Sequence, residues 1–265
     1  TPPSTRKYPA YSLLRPTMTV AESWYNSLQA SLRMRPTRGI NFLMAYTLGD
    51  AKDHVSGLNI GGENRPVLPV TMGDDASLQA ALDQEKGPAL FDVRHRFVFS
   101  FGAELPRLED KSAAMRYILG GWQLNGIFQA QTGFPLTVTD PVLNIAGFTN
   151  RPNMTCDPNE GGAKSVTQWF DTTAFSPAPL FTFGNAPERV HGLRADHLHN
   201  LDLALGRDLP PMGAVRLQFR VEVFNLWNDV QFGAPNTNVN SATFGQVTSQ
   251  VNAPRRFQFG VRARW

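Results

Sequence analysis

The residues best equipped for chemistry in this chain are its histidines. His197 and His199 lie two apart, so on a strand both side chains share one face. His191 is close by, and Asp196 and Asp202 could add carboxylate ligands. A metal site needs three or four such groups in a fixed geometry. Isolated histidines at loop edges are far commoner, so no metal is expected. The single cysteine, Cys156, excludes an internal disulfide and a CxxC metal site, and reads as a buried or incidental thiol in a loop. No GxSxG, HExxH or glycine-rich phosphate loop ahead of a helix occurs. Asn153-Met154-Thr155 fits a glycosylation sequon but carries no argument. The expectation is a protein without catalytic residues or cofactor, and not an enzyme.

Arginine is the other recurrent group. Arg33, Arg35, Arg94, Arg96, Arg216, Arg220, Arg256, Arg262 and Arg264 sit at alternate positions of polar–apolar segments, with Asp92, Glu104, Asp202 and Glu222 among them. Alternation gathers them on one face, which would attract an anionic solute or an acidic protein surface. Arg94, Arg96, Arg216, Arg220 and Arg262 are the main candidates. The plainer reading is a solvated wall. The net charge is +3 and the basic residues are scattered, so nucleic acid is not an expected partner.

The elements that must position these residues are strands. Seven segments alternate with period two. Their apolar sides are Trp24 with Leu28 to Met34, Ile40 to Leu48, Val93 to Phe101, Trp122 to Ala130, Leu201 to Leu205, Val215 to Val223, and Phe257 to Trp265, counting every second residue. The sides opposite carry Ser27, Gln29, Asn41, Thr47, Ser100, Gln123, Asn125, Gln129, Gln218 and the arginines. Charge is nearly absent from the middle of every apolar side. The segments run to about 10–14 residues, longer than the usual globular strand and suited to tilted strands crossing a hydrocarbon core. No run of about 18 apolar residues is present, so no transmembrane helix is expected, and mean hydropathy, −0.27, does not register strands of this kind.

The connections alternate short and long. Pro36-Thr37-Arg38-Gly39 is a tight turn, Pro106 to Ile118 is moderate, and Asp208 to Gly213 is short. Between these come Asp50 to Phe91, Gly133 to His197, and Leu226 to Ala253. Membrane barrels join strands by short periplasmic turns and long extracellular loops. The last strand then descends to the periplasm. Trp24, Tyr46, Trp122 and Trp265 fall near strand ends, where interfacial girdles want amphipathic rings. A strand count of seven is odd, so an ascending strand is expected to be missing or to lie in the weak segment Tyr11–Val20. Helix is expected only around Asp75–Leu82, with Asp75 as N-cap. Asn236 to Ser241 reads as a polar loop.

A series of short motifs spans nearly the whole chain: Tyr25-Asn26-Ser27-Leu28-Gln29, Asp92-Val93-Arg94-His95-Arg96-Phe97, Gly120-Gly121-Trp122-Gln123-Leu124-Asn125-Gly126, Gln131-Thr132-Gly133-Phe134-Pro135, Arg151-Pro152-Asn153, Trp169-Phe170-Asp171, Phe183-Gly184-Asn185-Ala186, Phe224-Asn225-Leu226-Trp227-Asn228, Phe232-Gly233, Phe244-Gly245 and Pro254-Arg255-Arg256. Their order and spacing resemble the C-terminal barrel region of TonB-dependent receptors of the Oar-like group. The resemblance implies an all-β fold, an antiparallel up-and-down transmembrane barrel portion of about 7–8 strands, with long extracellular loops, out of a larger barrel of about 22 strands. It implies a plug domain and a TonB-contacting peptide upstream, so that residues 1–265 would be a fragment of an outer-membrane receptor. It also implies that Phe257, Phe259, Val261, Ala263 and Trp265 resemble the terminal signal read by the barrel assembly machinery. Expected partners are outer-membrane lipid, that machinery, TonB through the upstream region, and an extracellular ligand. The competing expectations are a small self-contained barrel with an adhesive or structural role, a soluble β-sandwich binding module, and an outer-membrane enzyme.

Overall fold

The computed structural model describes residues 19–37, 39–56, 74–145, 148–162, 164–180, 182–209 and 213–265. Seven long strands form one antiparallel meander: β1 (Ser23–Thr37), β2 (Ile40–Asp53), β3 (His95–Glu104), β4 (Trp122–Gln131), β5 (Leu198–Asp208), β6 (Arg216–Phe224) and β7 (Arg256–Arg264). Each pairs with its sequence neighbours in that order, and a two-residue strand, Gly87–Pro88, adds to the end of β2. Among the described residues, β1 and β7 are paired on one side only. These are the seven segments expected from alternation. Several boundaries differ: β2 continues past Leu48 to Asp53, because Ala51 and Lys52 still pair with Tyr25 and Trp24, β3 starts at His95 rather than Val93 and runs on to Glu104, and β5 extends beyond Leu201 and Leu205 to span Leu198–Asp208. The proposed strand in Tyr11–Val20 lies outside the described residues up to residue 18, as does Arg38 of the first turn.

The register decides what the two faces are. Leu28 faces Leu48, Leu32 faces Met44 and Met34 faces Phe42. Phe42, Met44 and Tyr46 face Phe101, Phe99 and Phe97, which in turn face Gly126, Phe128 and Ala130. Leu201, Leu203 and Leu205 continue the layer, followed by Val223 and Val221, and then by Phe257 and Phe259. Seven strands therefore place their apolar residues on one continuous face. A slip of one residue at any pairing would turn a whole strand inside out. Aromatic neighbours on adjacent strands lock the register, with Phe42–Phe99 at 6.0 Å and Phe97–Phe128 at 5.8 Å between ring centroids. Gly126 leaves room beneath the Phe101 ring, where an added Cβ would come within 2.5 Å of it.

This face has no protein covering over much of its area. Phe259 is 75 % exposed and Val261 67 % exposed, and Leu28 and Leu32 are also exposed. A contiguous apolar wall of this size needs an apolar solvent. Among the described residues no helix is long and apolar enough to cross a membrane. The strands do the crossing. The opposite face carries Gln29, Thr47, Arg96, Gln129, Asn125, Glu222, Gln258 and Arg262 in the same register.

The connections separate by end as expected, but their content differs. In the β1–β2 turn, Gly39 adopts φ +79°, a conformation that disfavours a side chain. The β3–β4 connection contains a helix that alternation did not reveal, α2 (Ala113–Leu119), whose N-cap Ser112 accepts from Met115 N. The helix expected over Asp75–Leu82 is present as α1 (Asp75–Glu85), longer by one turn. Its N-cap is Asp74 rather than Asp75, because Asp74 is the residue with extended backbone whose carboxylate accepts from Ala76 N at 3.1 Å.

The wall makes a sharp prediction. Phe99→Arg should cost about 2–4 kcal/mol of stability in the bilayer, as for a cation at the midplane of a lipid-facing surface. Gln129→Arg, one strand away on the other face, should cost little. Denaturant titration of both variants in lipid vesicles checks the difference.

Candidate functional site

The long connections do not hang as separate loops. They fold against one another at one end of the wall around their own hydrophobic core. Phe170, Ala174, Ala186, Val138, Leu193, Val190, Leu136, Phe175 and Trp169 are buried there. Phe244 packs against Phe170 at 5.3 Å and Phe175 at 6.1 Å, and Phe232 against Trp169 at 6.3 Å. Phe232 and Phe244 come from the β6–β7 connection, and the rest from the β4–β5 connection. The result is a single cap.

Three arginines of the β4–β5 connection hold the β2–β3 connection to this core. Arg189, buried, donates to Asp53 at 2.6 Å, to Glu188 at 2.9 Å and to the carbonyl of Pro88. Arg151 pairs with Glu85 of α1. Arg194 pairs with Asp92 and also donates to the carbonyls of Asp92 and Gly133, both at 3.0 Å. The other oxygen of Asp92 accepts from Ala51 N at 2.8 Å, tying the clasp to the end of β2. Buried ion pairs rarely add net stability over apolar packing. They do specify one arrangement of the loops.

The short motifs now have physical roles. Arg151-Pro152-Asn153 zips to Gly184-Asn185-Ala186: Asn153 and Asn185 each accept the backbone N–H at or beside the other, at 3.2 and 2.7 Å, and Ala186 N donates to Pro152 O at 3.1 Å. Gly184 is required because a Cβ there would lie 1.9 Å from Arg151 O. Trp169 donates its indole N–H to Arg194 O at 2.8 Å, and its backbone N–H to Gly245 O. Asn225 and Asn228 take φ of 53° and 58°, which asparagine tolerates better than most residues. The buried Asn225 amide donates to Asp229 O and Ala253 O, closing the β6–β7 connection at its base.

The Asn236 to Ser241 stretch, read as an undistinguished polar loop, is a structural ladder. Asn238 N donates to Asn236 Oδ1 and Asn240 N to Asn238 Oδ1, at 3.0 and 2.9 Å. Asn240 then donates to the buried Asp140 at 2.7 Å. The signal was present as asparagine at every second position, the spacing of consecutive Asx turns.

The individual candidates fall as follows. His197 and His199 do not converge: His197 contacts Asp196 at 3.0 Å, while His199 contacts Asp229 at 2.8 Å and stacks on Trp227 at 4.6 Å. Among the described residues no group of three His, Cys, Asp or Glu could hold a metal. Cys156 lies in a loop and is exposed, not buried. Arg94 lies just before β3 and is paired with Asp50 at 2.9 Å, so it belongs to the rim of the cap and not to a free basic surface. Arg96 lies on the polar face opposite Thr47 and Gln131. Arg216, Arg220 and Arg262 do cluster there on β6 and β7, with Arg220 paired to Glu222 at 2.7 Å. Phe257, Phe259, Val261 and Ala263 all lie on the apolar face of β7, in register with Val223, Val221, Phe219 and Leu217, and Trp265 follows at the end, 93 % exposed. Of the girdle residues, Trp24 is the second residue of β1, Trp122 opens β4, and Tyr46 bonds His95 Nδ1 at 2.8 Å near the capped end.

A family model described as an outer membrane beta barrel domain matches residues 1–258. The chain belongs to that family. It is therefore a protein of the Gram-negative outer membrane, and its apolar wall faces lipid. The short connections are the periplasmic ones, and the cap is extracellular. Comparison with curated proteins and with solved structures gives no match.

The clasp predicts that Arg194→Ala should loosen the cap without disturbing the wall. It leaves the buried Asp92 without its cation, a loss of about 3–5 kcal/mol for a broken buried pair. Hydrogen exchange at the Ala51 amide should quicken accordingly, while the amides of β3 and β4 keep their protection.

Proposed function

We propose that this barrel chain is the C-terminal segment of a TonB-dependent receptor, whose extracellular cap takes part in capturing a ligand for energised uptake. The observation that carries the reading is the open wall. Among the described residues the outer edges of β1 and β7 are unpaired, and such edges cannot stand in hydrocarbon, where every backbone donor and acceptor must be paired within the protein. The wall is then completed by further strands of a longer polypeptide. The polar inner face supports a lumen filled by water and a plug rather than by side chains, as in barrels of about 22 strands. The ordered motif series supports the same group.

In this reading the roles divide cleanly. The cap presents an ordered outer surface for ligand. The arginines on β6 and β7 attract the acidic surface of a plug or an anionic solute. β7, with its aromatic and aliphatic residues ending at Trp265, is recognised by the barrel assembly machinery. The plug, not this chain, contacts TonB.

An antibody against the loop between residues 133 and 197 tests the reading on native outer membranes, with samples unheated and heated. A heat-shifting band several times larger than 29.3 kDa is expected, together with ligand uptake that stops when TonB is inactivated. A heat-shifting band near 29.3 kDa would instead mean a small self-contained barrel with an adhesive or structural role.

A further inference from the structure

The clasp between the two longest connections is not electrically balanced. Asp53 and Glu85 come from the β2–β3 side, and Glu188, Arg151 and Arg189 from the β4–β5 side. Three carboxyls thus meet two guanidiniums. Arg189 is occupied by Asp53, Glu188 Oε1 and Pro88 O. Arg151 is occupied by Glu85 Oε1 and Ala186 O. Two oxygens are left over, Glu85 Oε2 and Glu188 Oε2. Both are buried and, among the described residues, have no hydrogen-bond donor. The Glu85 side chain is only 1 % exposed.

Residues 85–88 lie against residues 186–189, joined through Arg151 and Arg189, and the Glu188 carboxyl acts on that of Glu85 by charge and by hydrogen bonding. Two ionised carboxylates in that position repel, and each orphan oxygen carries a desolvation penalty. A single proton removes both problems. It turns the two orphan acceptors into one O–H···O bond and brings the cluster to neutrality. Other charged groups nearby do not supply the missing donor. Lys86 is turned onto the Trp24 ring, 4.1 Å from its centre, and His54 Nδ1 accepts from Glu22 N at 3.1 Å.

We propose that in the closed cap Glu85 keeps a proton and donates it to the Glu188 carboxylate, and that this bond latches the β2–β3 connection to the β4–β5 connection, so that closure of the extracellular cap depends on pH. Burial pushes the Glu85 carboxyl up from 4.5 to about 7, against the pull of Arg151 and with the help of Glu188. The sign follows from linkage. Between the two values the closed cap holds a proton that the open cap releases, so closure weakens as pH rises through that window. Below about pH 4.5 and above about pH 7 it no longer changes with pH from this source. The inference depends on the cap alone and not on the identity of the receptor.

Hydrogen exchange in native outer membranes tests it, read at the amides of Gly87 and Ala89 and corrected for the intrinsic pH dependence of exchange. Protection of these amides should fall on the order of ten- to a hundredfold between about pH 5 and about pH 7.5. In Glu188→Gln a permanent amide donor faces the still buried Glu85, and the pH dependence should shrink. Glu85→Gln removes the titrating carboxyl, should make the protection independent of pH, and serves if the first variant fails to assemble, as judged by its heat shift. A flat wild-type profile, or an unchanged slope in either assembled variant, would overturn the latch.

Discussion

Hydrocarbon offers no hydrogen-bond partner, and this single fact shapes the wall. Every N–H and C=O in it must find another strand. Antiparallel neighbours in sequence order do so with short turns, and the pleat then sends alternate side chains to opposite faces. Once one face meets lipid, register has no freedom. Leu32 must face Met44, Met44 must face Phe99, and Phe99 must face Phe128, because any slip would bring glutamine or arginine into the bilayer.

The cap answers a different constraint. Long connections outside the bilayer lose much conformational entropy on ordering, and nothing in the wall repays it. They repay it themselves, through an aromatic core shared by two connections and a polar clasp that recruits the third. The clasp adds specificity more than stability. Asp92, for example, is held at once by Arg194 and by Ala51 N, so that the end of β2, the start of β3 and the β4–β5 connection can meet in only one way.

The wall was readable from the sequence because its physics is local. A period of two, the uncharged middles of the apolar sides and the alternation of short with long connections gave seven strands and their direction. The cap was not readable in the same way. Arg189 and Asp53 are 136 residues apart, and Arg194 and Asp92 are 102 apart, and no periodicity connects such pairs. The motif series marked the right residues, such as Arg151, Trp169, Gly184 and Asn225, but as a resemblance without mechanism. Helix α2 was missed because its seven residues lie in a connection too brief to show a helical period. Arg94 was assigned to the basic face by parity alone, and parity does not hold beyond the last paired residue, where Asp50 claims it.

The central claim is that odd-numbered positions of β3 and even-numbered positions of β4 face lipid. Spin labels tested one position at a time, after replacing the single native cysteine, Cys156, measure this directly in membranes. The account predicts that collision with oxygen, which concentrates in hydrocarbon, peaks at positions 97, 99 and 101 and at 124, 126 and 128, and that a water-soluble nickel complex reaches the positions between them. Uniform accessibility along both strands, or the same alternation in the opposite phase, would contradict it.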